Sequence, residues 1–180
     1  LKFKKNKQIK TKMSKERAHA TCLEMISQRG YTIVDLENMT ALKGDGNQMI
    51  VFFNESPSFD TKSMKEIFSL MTEIGVKHSI VIYKDKVTPA TKSTLEQLQD
   101  MKIELFAEED LQFNITKHRL QPIFEKLKDD EAADFKKKFG IKFGTLRIDR
   151  PIARFYDYSK GDVIRITRSD GYINYRIVKG

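Results

Sequence analysis

A chain of 180 residues with 39% hydrophobic content holds enough apolar material for one large or two small folded domains, and it falls outside the disordered class. Its single cysteine, Cys22, excludes an internal disulfide framework and a metal site of the paired-cysteine kind, and no apolar run approaches the roughly 20 residues that span a bilayer. The net charge of +8 is uneven: residues 1–17 carry eight Lys or Arg against one acid, residues 18–113 nine bases against fifteen acids, and residues 114–180 sixteen bases against nine acids. An intracellular setting is expected. Basic ends suit nucleic acid, where neutralised phosphates release counterions, and equally suit plain solubility.

Residues 1–17, LKFKKNKQIKTKMSKER, are too basic to pack alone and are expected to form a flexible arm. Ser14 is a candidate cap for a helix reaching Arg29, with Ala18, Cys22, Met25 and Ile26 on one stripe and Gly30 as its stop. In that stripe Cys22 reads as a buried small hydrophobe. Residues 31–42 are ambiguous, and KGDGN at 43–47 is a loop. An α/β alternation follows. Residues 49–53, 79–83 and 102–106 are strands apolar on both faces, separated by helices around Met64–Met71 and Leu95–Leu98. This β-α-β-α-β order predicts a mostly parallel sheet with right-handed crossovers in a domain over 18–113. Alternation of Leu111, Phe113 and Ile115 predicts a short fourth strand.

From residue 114 the character changes, and 114–180 is read as a second, small α+β domain with a mixed sheet. Pro122 forbids a long helix over His118–Leu127. Asp129 or Asp130 is expected to cap a helix with early acids and late lysines, matching the helix dipole, and Gly140 stops it. Pro151 suits the first turn of a short helix. Val163–Thr167 and Tyr172–Val178, joined by Ser169-Asp170-Gly171, form a terminal hairpin. Arg165, Arg168, Tyr172 and Arg176, with Tyr158, offer an amphipathic surface of the kind used at protein or nucleic-acid interfaces.

Catalytic patterns are sparse. His19, His78 and His118 are scattered, no HExxH, P-loop, GxGxxG or GxSxG occurs, and no cofactor or metal site is expected. Glu55, Asp60, Asp85 and Glu104 are the carboxylates a metal-dependent nuclease would draw on, but Glu104-Leu105-Phe106 lacks the lysine two residues on that such a strand supplies. Thr88 and Pro89 read as cap and first residue of the helix after the 79–83 strand. They sit at a βα loop, where α/β sheets present partners.

Four stretches carry a resemblance: NQMIVFF (47–53), SIVIY leading into VTPATKSTL (79–95), FNITKHRLQP (113–122) and PIARFYDYSKGDVIRITRSDGYINYRIV (151–178). In order and spacing they resemble the fifth-largest common subunit of eukaryotic-type nuclear RNA polymerases, a family with a shorter archaeal counterpart. The resemblance implies an N-terminal α/β jaw domain, similar to nuclease folds but without an active site, beside downstream duplex DNA. It implies a C-terminal assembly domain docking on the largest subunit through His118, Leu120, Pro122, Pro151, Ala153, Arg154, Tyr156, Gly161, Val163, Ile164, Ile166, Tyr175 and Arg176. On charge and loop position, Lys84, Lys86, Thr88 and Pro89, with the basic arm, are the candidate DNA-proximal positions, touching phosphates and not bases. The implied partners are the largest and other polymerase subunits and duplex DNA, with no membrane and no obligate homo-oligomer. The implied place is the nucleus, or the virion or cytoplasmic factory of a large DNA virus.

The sequence departs from the family's usual pattern at Arg150, where Asp precedes the proline, and at Phe124, where a second histidine is common. Asp149 is the expected substitute cap. Thr88-Pro89-Ala90-Thr91 stands for Thr-Pro-Ser-Ala, and the Lys-rich arm is not typical. Two rival functions are a metal-dependent nuclease and a free-standing nucleic-acid-binding protein.

Overall fold

A computed structural model describes the backbone of residues 2–36, 39–98, 100–140 and 142–180, with side chains from residue 13 onward. The chain divides into two compact units, Leu1–Phe113 and Asn114–Gly180.

In unit 1, helix α1 (Lys2–Gln28) is continuous, about 40 Å long at 1.5 Å per residue. The flexible arm expected over 1–17 is therefore corrected: from Lys2 onward its backbone is helical. No Gly or Pro occurs before Gly30, and Lys, Gln, Arg, Met and Ala are strong helix formers. Ser14 lies inside the helix instead of capping it, and its carbonyl accepts a hydrogen bond from Gln112 Nε2 at 3.1 Å. The stop at Gly30 is as expected, with a positive φ of 83° that glycine adopts without strain.

Strands β1 (Tyr31–Asp35), β2 (Thr40–Lys43), β3 (Gln48–Asn54), β5 (His78–Tyr83) and β7 (Lys102–Ala107) form one sheet in the order β1-β2-β3-β5-β7. The β3-β5 and β5-β7 pairs are parallel, as the apolar runs required. β1, β2 and β3 pair antiparallel, so the sheet is mixed and not mostly parallel. A small parallel ribbon, β4 (Ser58–Phe59) with β6 (Lys86–Val87), ties the loops beyond the sheet.

Helices α2 (Thr61–Ile74) and α3 (Pro89–Glu96) are the crossovers. Asp60 caps α2, its carboxylate accepting from Ser63 N–H at 2.9 Å. Thr88 caps α3 as expected, with Pro89 in the first turn. Met64, Ile67 and Met71 of α2 pack with Phe59, Ile50 and Val81 on one sheet face. On the other face α1 adds Ala18, Cys22, Met25 and Ile26, all buried. The unit is thus three-layered. Burial pushes the Cys22 thiol up to about 12, which leaves it an inert hydrophobe, as expected.

The predicted fourth strand is absent. Residues Glu108–Leu111 and Ile115–Lys117 are 3-10 turns. Asn114 stops any ladder there, because its side-chain oxygen accepts from Thr116 N–H at 2.9 Å and Thr116 Oγ1 at 2.7 Å.

Unit 2 is a four-stranded mixed sheet in the order β8-β10-β11-β9, where β8 is Ile123–Lys126, β9 Thr145–Arg147, β10 Val163–Thr167 and β11 Ile173–Lys179. β10 and β11 are the predicted hairpin, and its turn closes with Gly171 N–H on Arg168 C=O at 2.9 Å. β9 lies parallel to β11. On one face sits α5 (Pro151–Phe155), where Ile152, Ala153 and Tyr158 pack with Leu146, Ile164, Ile166 and Val178. On the opposite face α4 (Asp129–Phe139) sets Phe135 against Tyr175, centroids 4.4 Å apart.

The α4 cap differs from expectation. The Glu131 carboxylate reaches back to the Lys128 N–H at 3.2 Å, so neither Asp129 nor Asp130 is the cap. Nor does Asp149 cap α5. Its carboxylate is held by Arg147 at 3.0 and 2.5 Å, and Arg150 occupies the cap position without a side-chain bond.

Candidate interaction surfaces

Two surfaces can be built from the residues upward, one on each unit. In unit 2, the segment leading into β8 turns sharply because the His118 ring Nδ1 accepts from Leu120 N–H at 3.2 Å. That turn projects Leu120, 75% exposed, just before Pro122. β8 is the sheet's edge strand, and its first residue, Ile123, is 63% exposed. Register places Ile123 beside Thr167, and Thr167 beside Ile173, so the row crosses three strands on the face opposite α5. Next to it the Arg165 guanidinium donates to Glu125 at 3.0 and 2.7 Å. An exposed apolar row on an edge strand is a ready protein contact.

The predicted interface residues divide by burial. His118, Leu120 and Pro151 are exposed, while Pro122, Arg154, Tyr156, Gly161, Tyr175 and Arg176 are half-buried. Ala153, Val163 and Ile164 are fully buried and Ile166 nearly so. Those four are corrected to core residues: their apolar side chains close the unit's own interior and do not face outward. Ile123 and Ile173 escape the sequence reading. Their signal is weak, since Ile123 follows Pro122 and the strand it starts is four residues long.

In unit 1, Lys84 and Lys86 are exposed at the carboxyl end of β5, and Thr88 and Pro89 follow at the α3 start. Lys15 of α1 reaches the same end of the sheet and pairs with Glu55. Lys15, Glu55, Lys84 and Glu108 line one small cavity of about 50 Å³ there. The Lys15 ammonium, with a smaller contribution from Lys84, holds the Glu55 carboxyl below the usual range. Two basic stretches far apart in sequence therefore meet at one edge.

The nuclease carboxylates have other work. Asp60 caps a helix, Glu55 pairs with Lys15, and Asp85 is exposed in the β5–β6 turn. Glu104 sits inside, gripped by both Arg29 terminal nitrogens at 2.8 and 2.9 Å. His78 Nε2 lies 2.6 Å from the same carboxylate, and Tyr31 OH lies 3.5 Å from His78 Nδ1. Burial alone would raise the Glu104 pKa. The His78 hydrogen bond and the Arg29 charge outweigh it and hold the group at about 2.

Comparisons with known proteins bear on both units. Residues 113–178 match the family described as RNA polymerase Rpb5, C-terminal domain. A protein of Invertebrate iridescent virus 6, named as a DNA-directed RNA polymerase subunit, is 35% identical over 176 residues, covering 87% of this chain and 95% of its own. The RPABC1 subunit of RNA polymerases I, II and III from Caenorhabditis elegans is 27% identical, covering 90% of this chain and 94% of its own. The Dictyostelium discoideum counterpart is 28% identical, with 87% and 93% covered.

Proposed function

The chain belongs to the Rpb5 family of RNA polymerase subunits, and we propose that it assembles into a DNA-directed RNA polymerase through unit 2 and faces downstream duplex DNA with unit 1. In this reading it is a non-catalytic subunit, as the polymerase subunits it matches cover nearly the whole chain. Nucleotidyl transfer needs metal-bound carboxylates, which another subunit would supply. The observation that carries the reading is 35% identity over 95% of the viral polymerase subunit. In this reading unit 1 is the jaw, and the working place is the nucleus or a viral factory.

His118, Leu120, Pro122, Pro151, Arg154 and Tyr156 are the docking side chains, with Gly161, Tyr175 and Arg176 beside them. Ala153, Val163, Ile164 and Ile166 support that surface from below. The test is purification of tagged protein from its own cells or virions. The wild-type chain is expected to bring down the largest polymerase subunit in equal amount. The Leu120→Asp/Ile123→Asp variant, altered only at exposed positions, should stay folded and lose it. Equal recovery by the folded variant would overturn this docking surface, and wild-type recovery of no polymerase subunit would overturn the whole reading.

Lys84, Lys86, Thr88, Pro89 and α1 form the DNA-facing edge. Binding to phosphates is the fitting mode, because a transcribing enzyme must pass every sequence. In the assembled complex, Lys84→Ala/Lys86→Ala is expected to flatten the salt dependence of duplex binding by about 0.9 in log–log slope for each phosphate no longer neutralised. An unchanged slope would remove these lysines from the DNA path.

A second reading, metal-dependent hydrolysis in unit 1, has one favouring observation, the adjacency of His78 and Glu104. The two-pronged hold of Arg29 on that carboxylate weighs against it. Magnesium-dependent cleavage by the purified chain, abolished in Glu104→Gln, would establish it.

A further inference from the structure

Residues 135–143 interleave aromatic and basic side chains: Phe135, Lys136, Lys137, Lys138, Phe139, Lys142 and Phe143. Part of this pattern is structural. Phe135 anchors α4 to the sheet through Tyr175, and Phe143 meets it edge-on at 5.3 Å. Phe139 is different. Its ring is 4.8 Å from Phe135 yet 59% exposed, so a large part of it meets solvent at the end of α4. The Lys138 ammonium lies 5.3 Å from its centroid. Lys137, Lys138 and Lys142 are exposed, whereas Lys136 is tied to the Gly161 carbonyl at 2.7 Å. Three of the four acids of α4, Asp129, Asp130 and Glu131, lie in its first turn, and the fourth, Asp134, lies one turn before Lys137 and Lys138.

One or two cations would satisfy the helix dipole at this end. An accessible aromatic ring with the Lys138 ammonium beside it, and exposed Lys137 and Lys142 within three residues along the chain, does something more. A flat ring takes a nucleobase in stacking, and ammonium groups on either side neutralise the phosphates that flank it. A duplex hides its base faces and cannot use the ring. An apolar protein partner would leave the surrounding lysines facing a dry surface. We propose that the C-terminal end of α4, with Lys142 beyond it, binds single-stranded nucleic acid, with a base on Phe139 and phosphates on Lys137, Lys138 and Lys142. The site lies on the sheet face opposite α5. It is independent of the polymerase reading, and either can fail alone.

The chain contains no tryptophan, so Phe139→Trp places a lone indole in it. Titration with oligouridylate is expected to quench its fluorescence saturably, while duplex DNA at equal phosphate concentration leaves it unchanged. Phe139→Ala and Phe139→Leu should each weaken oligouridylate binding by roughly 5- to 150-fold, the range for one missing stack. Lys137→Ala/Lys138→Ala should reduce the salt slope by about 0.7 for each phosphate given up. Binding without quenching would place the strand elsewhere, with basic α1 the obvious alternative. Equal quenching by duplex would reduce the site to charge alone. Wild-type affinity in Phe139→Leu would make the ring an ordinary apolar surface. Each of these three results overturns the proposal.

Discussion

Replacing Arg29 by Met is expected to destabilise unit 1 by about 3–5 kcal/mol, among the largest effects of any single substitution in the chain. The cost comes less from the missing attraction than from what remains. Glu104 keeps a carboxylate whose side chain is 13% exposed, and its two-pronged partner is gone. Urea unfolding followed by circular dichroism measures the change. Arg29→Met/Glu104→Gln should recover much of it, since the stranded charge is then absent. If the double variant is no more stable than Arg29→Met alone, the ion pair is not the source. The same group gives unit 1 an acid limit. Its folded pKa of about 2 lies below the ordinary 4.5, so its stabilisation is full above 4.5 and is lost as pH falls from there towards 2. That loss amounts to roughly 3 kcal/mol by linkage, and in Glu104→Gln this part of the acid dependence should vanish.

Ile164→Ala should cost unit 2 about 2–5 kcal/mol. The side chain is fully buried among Ile152, Val178 and Tyr158, and truncation leaves a hole that a short sheet closes poorly. Denaturant unfolding is expected to show the change as an earlier transition of unit 2. Recovery of the polymerase would fall only as far as the unit unfolds. An unchanged midpoint would instead mean that Ile164 faces a partner, as its place in the family-like stretch suggests. Leu120→Asp/Ile123→Asp makes the contrast, with a folded unit and no partner.

These two cases mark what the sequence can and cannot tell. β3 and β5 are legible because a strand covered on both faces carries an unbroken apolar run, and β7 is legible as the third such run despite Glu104 within it. The β10–β11 hairpin is legible from its turn, Ser169-Asp170-Gly171. β1 is not, because its burial alternates while apolar Val34 and Leu36 are exposed, so the sequence hides the alternation. The false strand at 111–115 shows the opposite error. Its alternation is real, but Asn114 turns the backbone with its own side chain. Ile164 and Val163 are misplaced by sequence alone because an apolar residue in a family motif looks the same whether it seals the interior or touches a neighbour. Arg29 and Glu104 are 75 residues apart, and their only trace in the sequence is an acid in the middle of an apolar strand. Phe139 hides in a run explained by the helix dipole, and only its exposure separates it from Phe135.

The position of β11 between β10 and β9 sets a timetable for synthesis. β8, β9 and β10 leave the ribosome before the strand that joins β10 to β9. Until Lys179 has cleared the exit tunnel, β9 has no strand to lie against, and β10 has only β8 at one side. Unit 1 has no such wait, since all of its strands precede Phe113. A nascent chain would therefore carry a finished first unit while the second is still an open sheet, unable to present a completed face to any partner. Removal of the segment after Arg176 by a premature stop would leave that state permanent, and quality control rather than assembly would decide its fate.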